Sequence, residues 1–142
     1  MKILLDTNIM MDVIEKREPS YKDAVALLKY VADADVICYF SASSAKDIFY
    51  LVKRHTGSLE EAKKAIIQIS KFVIFCDTTK QDIQNALLSS VSDFEDAVLV
   101  SSAEREDMDF VITRNKKDFV NSVVKAITPI EFLESIHKYP IA

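Results

Sequence analysis

Lys2-Ile3-Leu4-Leu5-Asp6-Thr7-Asn8-Ile9 decides how this chain folds. A short apolar run meets Asp-Thr-Asn, three residues that favour helix starts. Residues 2–5 therefore read as a buried strand that passes directly into a helix, from Thr7 to about Lys16. The pattern then repeats. Val36 to Phe40 reads as a strand before a helix over Ser43–His55, with Ile48, Leu51 and Val52 on its apolar face. Phe72-Val73-Ile74-Phe75 and Phe110 to Ile112 are further strands. Lys125 to Ile127 is the last, and Thr128-Pro129-Ile130-Glu131 joins a capping box to a proline at the first helical position, predicting a closing helix over 129–138. Such alternation predicts a three-layer α/β/α fold, with a mostly parallel sheet of four to five strands covered on both faces.

Between these elements, Ala24, Leu27, Leu28 and Val31 recur at helical spacing and predict a helix from Ser20 to about Asp33. Gly57, the only glycine, marks a tight joint between two helices. Ser58 and Glu61 have capping-box spacing before a helix to about Ser70. Thr78 and Gln81 repeat it before a helix ending near Ser90, as do Ser92 and Glu95 before the next. No linker, internal repeat or low-complexity segment interrupts the chain, which reads as one domain over 1–142.

Composition narrows the classes. At 142 residues and 49% apolar content, one hydrophobic core is well supplied. No apolar run approaches the roughly 20 residues that span a bilayer. The first residues hold one lysine and an apolar stretch broken by Asp6 and Asn8, unlike a secretory signal, so a cytoplasmic location is expected. Cys38 and Cys76 lie in separate strand-like runs outside any CxxC pattern and read as buried free thiols. His55 and His137 are far from the acidic segments and read as surface residues, leaving a Ser-His-Asp triad or a zinc site unsupported. A single glycine excludes a P-loop and a dinucleotide fingerprint. The net charge of −4 disfavours broad nonspecific binding to nucleic acid.

Four aspartates stand where a parallel sheet would gather them: Asp6 after the first strand, Asp47 in the helix after the second, Asp96 in a helix one turn beyond Asp93, and Asp118 after Phe110-Val111-Ile112-Thr113. Open α/β sheets bind ligands outside the C-terminal ends of their strands. Carboxylates there, with no His or Cys among them, suit a hard divalent cation such as Mg²⁺ or Mn²⁺. Two carboxylates about 5 Å apart repel by roughly 3 kcal/mol at an effective dielectric of 20. Several ionised together would strain a domain of ordinary stability, so either some stay protonated or a cation neutralises them. A cation so held can lower the pKa of bound water and polarise a phosphodiester.

Four segments resemble the motifs of the PIN-domain family, the metal-dependent ribonuclease fold of the VapC-type toxins. They are Leu4 to Ile9, Ser41-Ala42-Ser43-Ser44-Ala45-Lys46-Asp47-Ile48, Asp93-Phe94-Glu95-Asp96-Ala97, and Val111-Ile112-Thr113-Arg114-Asn115-Lys116-Lys117-Asp118-Phe119. The ending Ile127 to Leu133 is also similar. The resemblance spans almost the whole chain, and the four motifs in order are far more specific than any one. It implies that Asp6, Asp47, Asp96 and Asp118 form a catalytic acidic site, and that Asp6, Asp96, Asp118 and Asp93 hold the metal. The second motif more often carries Glu, so Asp47 reaches one methylene less and is expected to act through a water instead of touching the metal directly. Asn115 stands where an acid is also seen, which favours a single tightly held ion. The resemblance further implies hydrolysis of RNA to 5′-phosphate and 3′-hydroxyl ends, a homodimer, and an antitoxin that inserts a basic side chain among the acids.

Plainer readings stand beside these. Asp6 serves equally as a helix cap, Asp93 as a first-turn anion, and Asp118 as a surface charge. Asn8 reads as a residue orienting Asp6, whereas capping or turn roles fit Thr113 and Ser43 at least as well as site roles. Arg114, Lys53 and Arg54 are the candidate contacts to RNA phosphate, against a default of ordinary exposed charge. Phe49 and Tyr50 read first as packing residues. An aspartate-based phosphatase is a rival enzyme, but its second Asp would fall at Asn8. A PIN-like module that binds RNA or protein without cutting is the rival outside enzymes, kept open by Asp47 and Asn115.

Overall fold

The computed structural model describes residues 1–138, without the side chains of His137 and Lys138, so His137 lies outside the described side chains. Five strands form one wholly parallel sheet: β1 (Lys2–Leu5), β2 (Ile37–Ser41), β3 (Ile74–Cys76), β4 (Phe110–Ile112) and β5 (Lys125–Ile127). Their order is β3-β2-β1-β4-β5. β1 is central, and Ile3, Leu4 and Leu5 are completely buried. A strand covered on both faces needs a continuous apolar run, which is what these residues provide.

Alternation along β1 divides the core in two. Ile3 and Leu5 face one layer, with α1 (Thr7–Ile14), α2 (Ser20–Asp33), α3 (Ala42–Thr56), α4 (Leu59–Ile69) and α7 (Pro129–Lys138). Leu4 and Val111 face the other, with α5 (Lys80–Leu87) and α6 (Phe94–Arg105). A 3-10 turn, Lys116–Phe119, follows β4. Seven α-helices are present among the described residues, and none is long and apolar enough to cross a membrane. The expected three-layer α/β/α architecture is the one observed, with five strands.

The chain leaves β1 toward β2 on one side and meets β4 on the other. This reversal opens a crevice at the C-terminal ends of β1 and β4. The Asp6 amide donates to the Ile112 carbonyl at 2.9 Å, which pins the exit of β1 against the end of β4.

Several local readings shift by one to three residues. The third strand begins at Ile74, not Phe72, because the Phe72 and Val73 amides still donate to the Ile69 carbonyl as α4 unwinds. α1 stops at Ile14, before Lys16 turns left-handed, and α5 stops at Leu87, short of Ser90. Thr79 and Asp82, rather than Thr78 and Gln81, make the reciprocal capping box of α5. Asp93, rather than Ser92, caps α6 by accepting the Asp96 amide at 3.0 Å. Gly57 closes α3 in the left-handed conformation, φ +68°, and Ser58 caps α4 through the Glu61 amide. Cys38 and Cys76 are buried free thiols. Burial pushes their pKa values up to about 12 and about 11, so neither is a reactive thiolate.

Candidate active site

Asp6 occupies the N-cap position of α1, yet its side chain makes no capping hydrogen bond. The carboxylate instead accepts the Thr113 hydroxyl at 2.8 Å from the end of β4. Thr113 is completely buried, and its oxygen also accepts the Asn115 amide at 3.1 Å. Asn8 joins the same group: its amide donates to the Thr113 hydroxyl at 3.4 Å, and its carbonyl oxygen accepts the Arg114 backbone N–H at 3.3 Å. The first turn of α1 and the loop after β4 are thus tied together around Asp6. Burial raises the pKa of Asp6, against the lowering effect of the Thr113 hydrogen bond.

Asp96 lies in the first turn of α6. Its carboxyl pKa is pushed up to about 7, by burial first and then by the carboxylates of Asp6, Asp93, Asp118 and Glu95. Four acids, from the exit of β1, the start of α6 and the turn after β4, therefore oppose its ionisation. Asp118, within the 3-10 turn, is exposed, and its charge is among those that oppose ionisation of Asp96. Asp93 does two things at once, capping α6 and adding negative charge beside Asp96.

Glu95 is the acid that sequence reading missed, because its spacing from Ser92 suggested only a cap. Asp93 takes the cap, and Glu95 is left facing Asp47. Its pKa is raised by burial, then by the adjoining Asp47 carboxylate and by Asp93 and Asp6. Glu95 and Asp47 line a cleft of about 130 Å³ with Ser43, Ser44, Thr78 and Phe94. A hydroxyl cluster buttresses it, with Ser41 2.8 Å from Ser43 and 3.0 Å from Thr78. The short side chain of Asp47 therefore meets a longer acid from α6.

The proposed RNA contacts fall in different places. Lys53 and Arg54 are exposed near the end of α3, and six residues of helix put Lys53 about 9 Å beyond Asp47. Arg114 sits beside the crevice, but its guanidinium is engaged by the buried Asp12. Asn115 is exposed at the start of the 3-10 turn. Phe49 packs on the core, edge-on to the exposed Tyr50.

The donors gathered here are all hard oxygens, a set that suits a hard divalent cation such as Mg²⁺ or Mn²⁺ better than zinc. The carboxylates around Asp96 oppose its ionisation, which gives such an ion something to relieve. Among the described residues, no three acids already stand close enough together to hold an ion. A pH dependence follows. Asp96 holds its proton more tightly folded than unfolded, so its contribution to stability is complete below about pH 4 and is lost as pH rises through about 7. Metal-free protein should lose on the order of 2 kcal/mol from about pH 4 to about pH 8, allowing for solvent screening. Thermal unfolding with EDTA across that range measures the loss. Mn²⁺ should restore stability most at the alkaline end, where the acids are ionised.

A parallel α/β domain with acids at its topological switch point belongs to a recognisable class. The family model for the PIN domain matches residues 2–117, and the chain belongs to that family. Similar solved structures include a chain of VapBC2 from Rickettsia felis, bound to a DNA fragment from their promoter, with 18% identity, TM-score 0.69, and 90% of this chain and 98% of that chain covered. A toxin–antitoxin complex from Klebsiella pneumoniae is similar at 19% identity and TM-score 0.68, covering 89% and 97%. VapC20 of Mycobacterium tuberculosis, a Sarcin-Ricin loop cleaving toxin, is similar at 18% identity and TM-score 0.61, covering 77% and 86%. No curated protein matches the sequence.

Proposed function

We propose that this PIN domain is a ribonuclease dependent on Mg²⁺ or Mn²⁺ and the toxin half of a toxin–antitoxin pair. The observation that carries the reading is Asp96, surrounded by Asp6, Asp93, Asp118 and Glu95 at the strand ends. Asp6, Asp96 and Asp118 would hold the cation, with Asp93 beside them. Asp47 and Glu95 form the flanking wall. A bound divalent cation would neutralise this charge and polarise a phosphodiester. Thr113 and Asn8 keep the Asp6 carboxylate aimed into the crevice.

Toxin–antitoxin complexes among the structural neighbours support a protein partner. An antitoxin would cover the crevice and place a cation among its acids, and a homodimer is the assembly we expect. RNA as substrate is supported by the neighbour that cleaves the Sarcin-Ricin loop.

Purified protein incubated with a mixed RNA pool and Mn²⁺, Mg²⁺ or EDTA tests the reading. Cleavage with either cation, abolished by EDTA, is the expected result. Asp47, one methylene shorter than the more usual Glu, and the neutral, exposed Asn115 favour one alternative, a PIN module that binds RNA or protein without cutting. That alternative wins if partner-free, metal-supplied protein binds RNA and leaves it whole.

A further inference from the structure

α1 carries a second acid that the site described above does not use. Asp12 lies four residues after Asn8, on the same face of the helix. It is completely buried, and its Oδ1 is paired with the Arg114 guanidinium. Its Oδ2 is the one buried side-chain polar atom without a hydrogen-bond partner among the described residues. Burial accordingly raises its pKa, even against the nearby charges of Arg114 and Arg17.

Taking an ion pair out of water costs free energy that such half-satisfied geometry recovers poorly, and an apolar pair of similar volume often serves stability as well or better. Stability alone is therefore a weak reason for Asp12. Its position supplies a better one. Arg114 is gripped twice from α1, its backbone N–H by the Asn8 side chain and its guanidinium by Asp12. The residue before it, Thr113, donates to Asp6, and the residue after it, Asn115, donates to Thr113. The Thr113 amide is fixed by the Ile127 carbonyl at 3.0 Å, but beyond it a loop held at only one of these points could rotate, and the Asn115 amide would then leave the Thr113 hydroxyl and cease to orient it toward Asp6.

We propose that Asp12 is a positioning residue: through Arg114 it clamps the loop after β4, so that Thr113 and Asn115 hold Asp6 in register with the other acids. Arg114 is then a structural strut whose guanidinium points back into the fold. The functional part of this inference rests on the nuclease reading, whereas the clamp itself does not.

The test is Asp12→Leu/Arg114→Met, which exchanges the ion pair for an apolar one, with Asp12→Leu alone, which leaves the half-exposed Arg114 free to reach water, as a second variant should the first fail to fold. Three quantities are read: thermal stability, amide hydrogen exchange at Arg114 and Asn115, and, with Mn²⁺, kcat and KM on RNA. The expected result is a near-unchanged melting temperature with exchange at the two amides at least about tenfold faster. Loss of an outer partner of a metal site typically costs about 10- to 100-fold, and that loss should fall on kcat with KM little moved. Unchanged exchange at both amides would overturn the clamp, whether or not the protein cuts RNA. Faster exchange with full kcat would overturn the link to the site. Wild-type protein that neither binds Mn²⁺ nor cuts RNA would sink the nuclease reading alone, leaving exchange to decide the clamp.

Discussion

Asp96→Asn should abolish cation-dependent RNA cleavage while making the metal-free protein more stable at alkaline pH. The two effects have one origin. In the wild type, burial and four neighbouring carboxylates oppose the charge on Asp96. An amide of the same shape removes that charge, so repulsion in the metal-free protein falls. It also removes a donor that a divalent cation would need. Loss of an outer-shell partner already costs about 10- to 100-fold, so loss of a direct donor should cost at least about 100-fold in kcat/KM, roughly 2.7 kcal/mol of transition-state stabilisation. Cleavage with Mn²⁺, beside thermal unfolding with EDTA at about pH 8, measures both. A variant that loses activity and stability together would identify Asp96 as a packing residue. Retained activity in purified variant would point to another nuclease in the preparation.

Arg105→Ala should have the largest effect on stability and little on chemistry. Asp82, on α5, is completely buried. Its carboxylate receives the Thr79 amide, the Ser101 and Ser102 hydroxyls, and two hydrogen bonds from Arg105. Burial works against its charge, but Arg105, Thr79 and Ser101 more than offset it, and its pKa is lowered. Removing the guanidinium strands a buried carboxylate, which costs about 3–5 kcal/mol and, in a chain of this size, about 10 °C or more in Tm. The sign of the pH dependence should change as well. In the wild type the Asp82 contribution is present above the ordinary carboxylate range and is lost as pH falls through its lowered folded pKa. Without Arg105 burial is less opposed, the pKa rises, and the variant should recover stability on mild acidification. Because Arg105 lies nine residues along α6 from Asp96, about 13 Å, kcat per folded molecule should be unaffected. A large fall in kcat at a temperature where the variant is fully folded would overturn this division between scaffold and site.

The acids Asp12, Asp82 and Asp96 show how far composition goes. Each is an aspartate within a helix, and residue type alone does not separate them. One anchors two helices through Arg105, one holds Arg114 and one faces other carboxylates. Only the Asp96 segment was singled out by pattern, because Asp93 stands one turn before it. Glu95 was passed over for the converse reason: its spacing matched a capping box, a local signal that Asp93 satisfies instead. Capping motifs one residue apart differ by little free energy, and the packing of α6 against Asp82 and the sheet decides between them.

The order of elements, the parallel sheet and the strand ends where acids would gather were legible in the sequence, since strand and helix periodicities and proline and glycine positions act over a few residues. Which of the acids meet was decided by tertiary structure. The order β3-β2-β1-β4-β5 brings β4 beside β1, across more than a hundred residues of chain, and so sets Thr113 on Asp6 and Arg114 on Asp12. Repulsion among carboxylates and the burial that magnifies it depend on distance in space, and local sequence carries no measure of that distance.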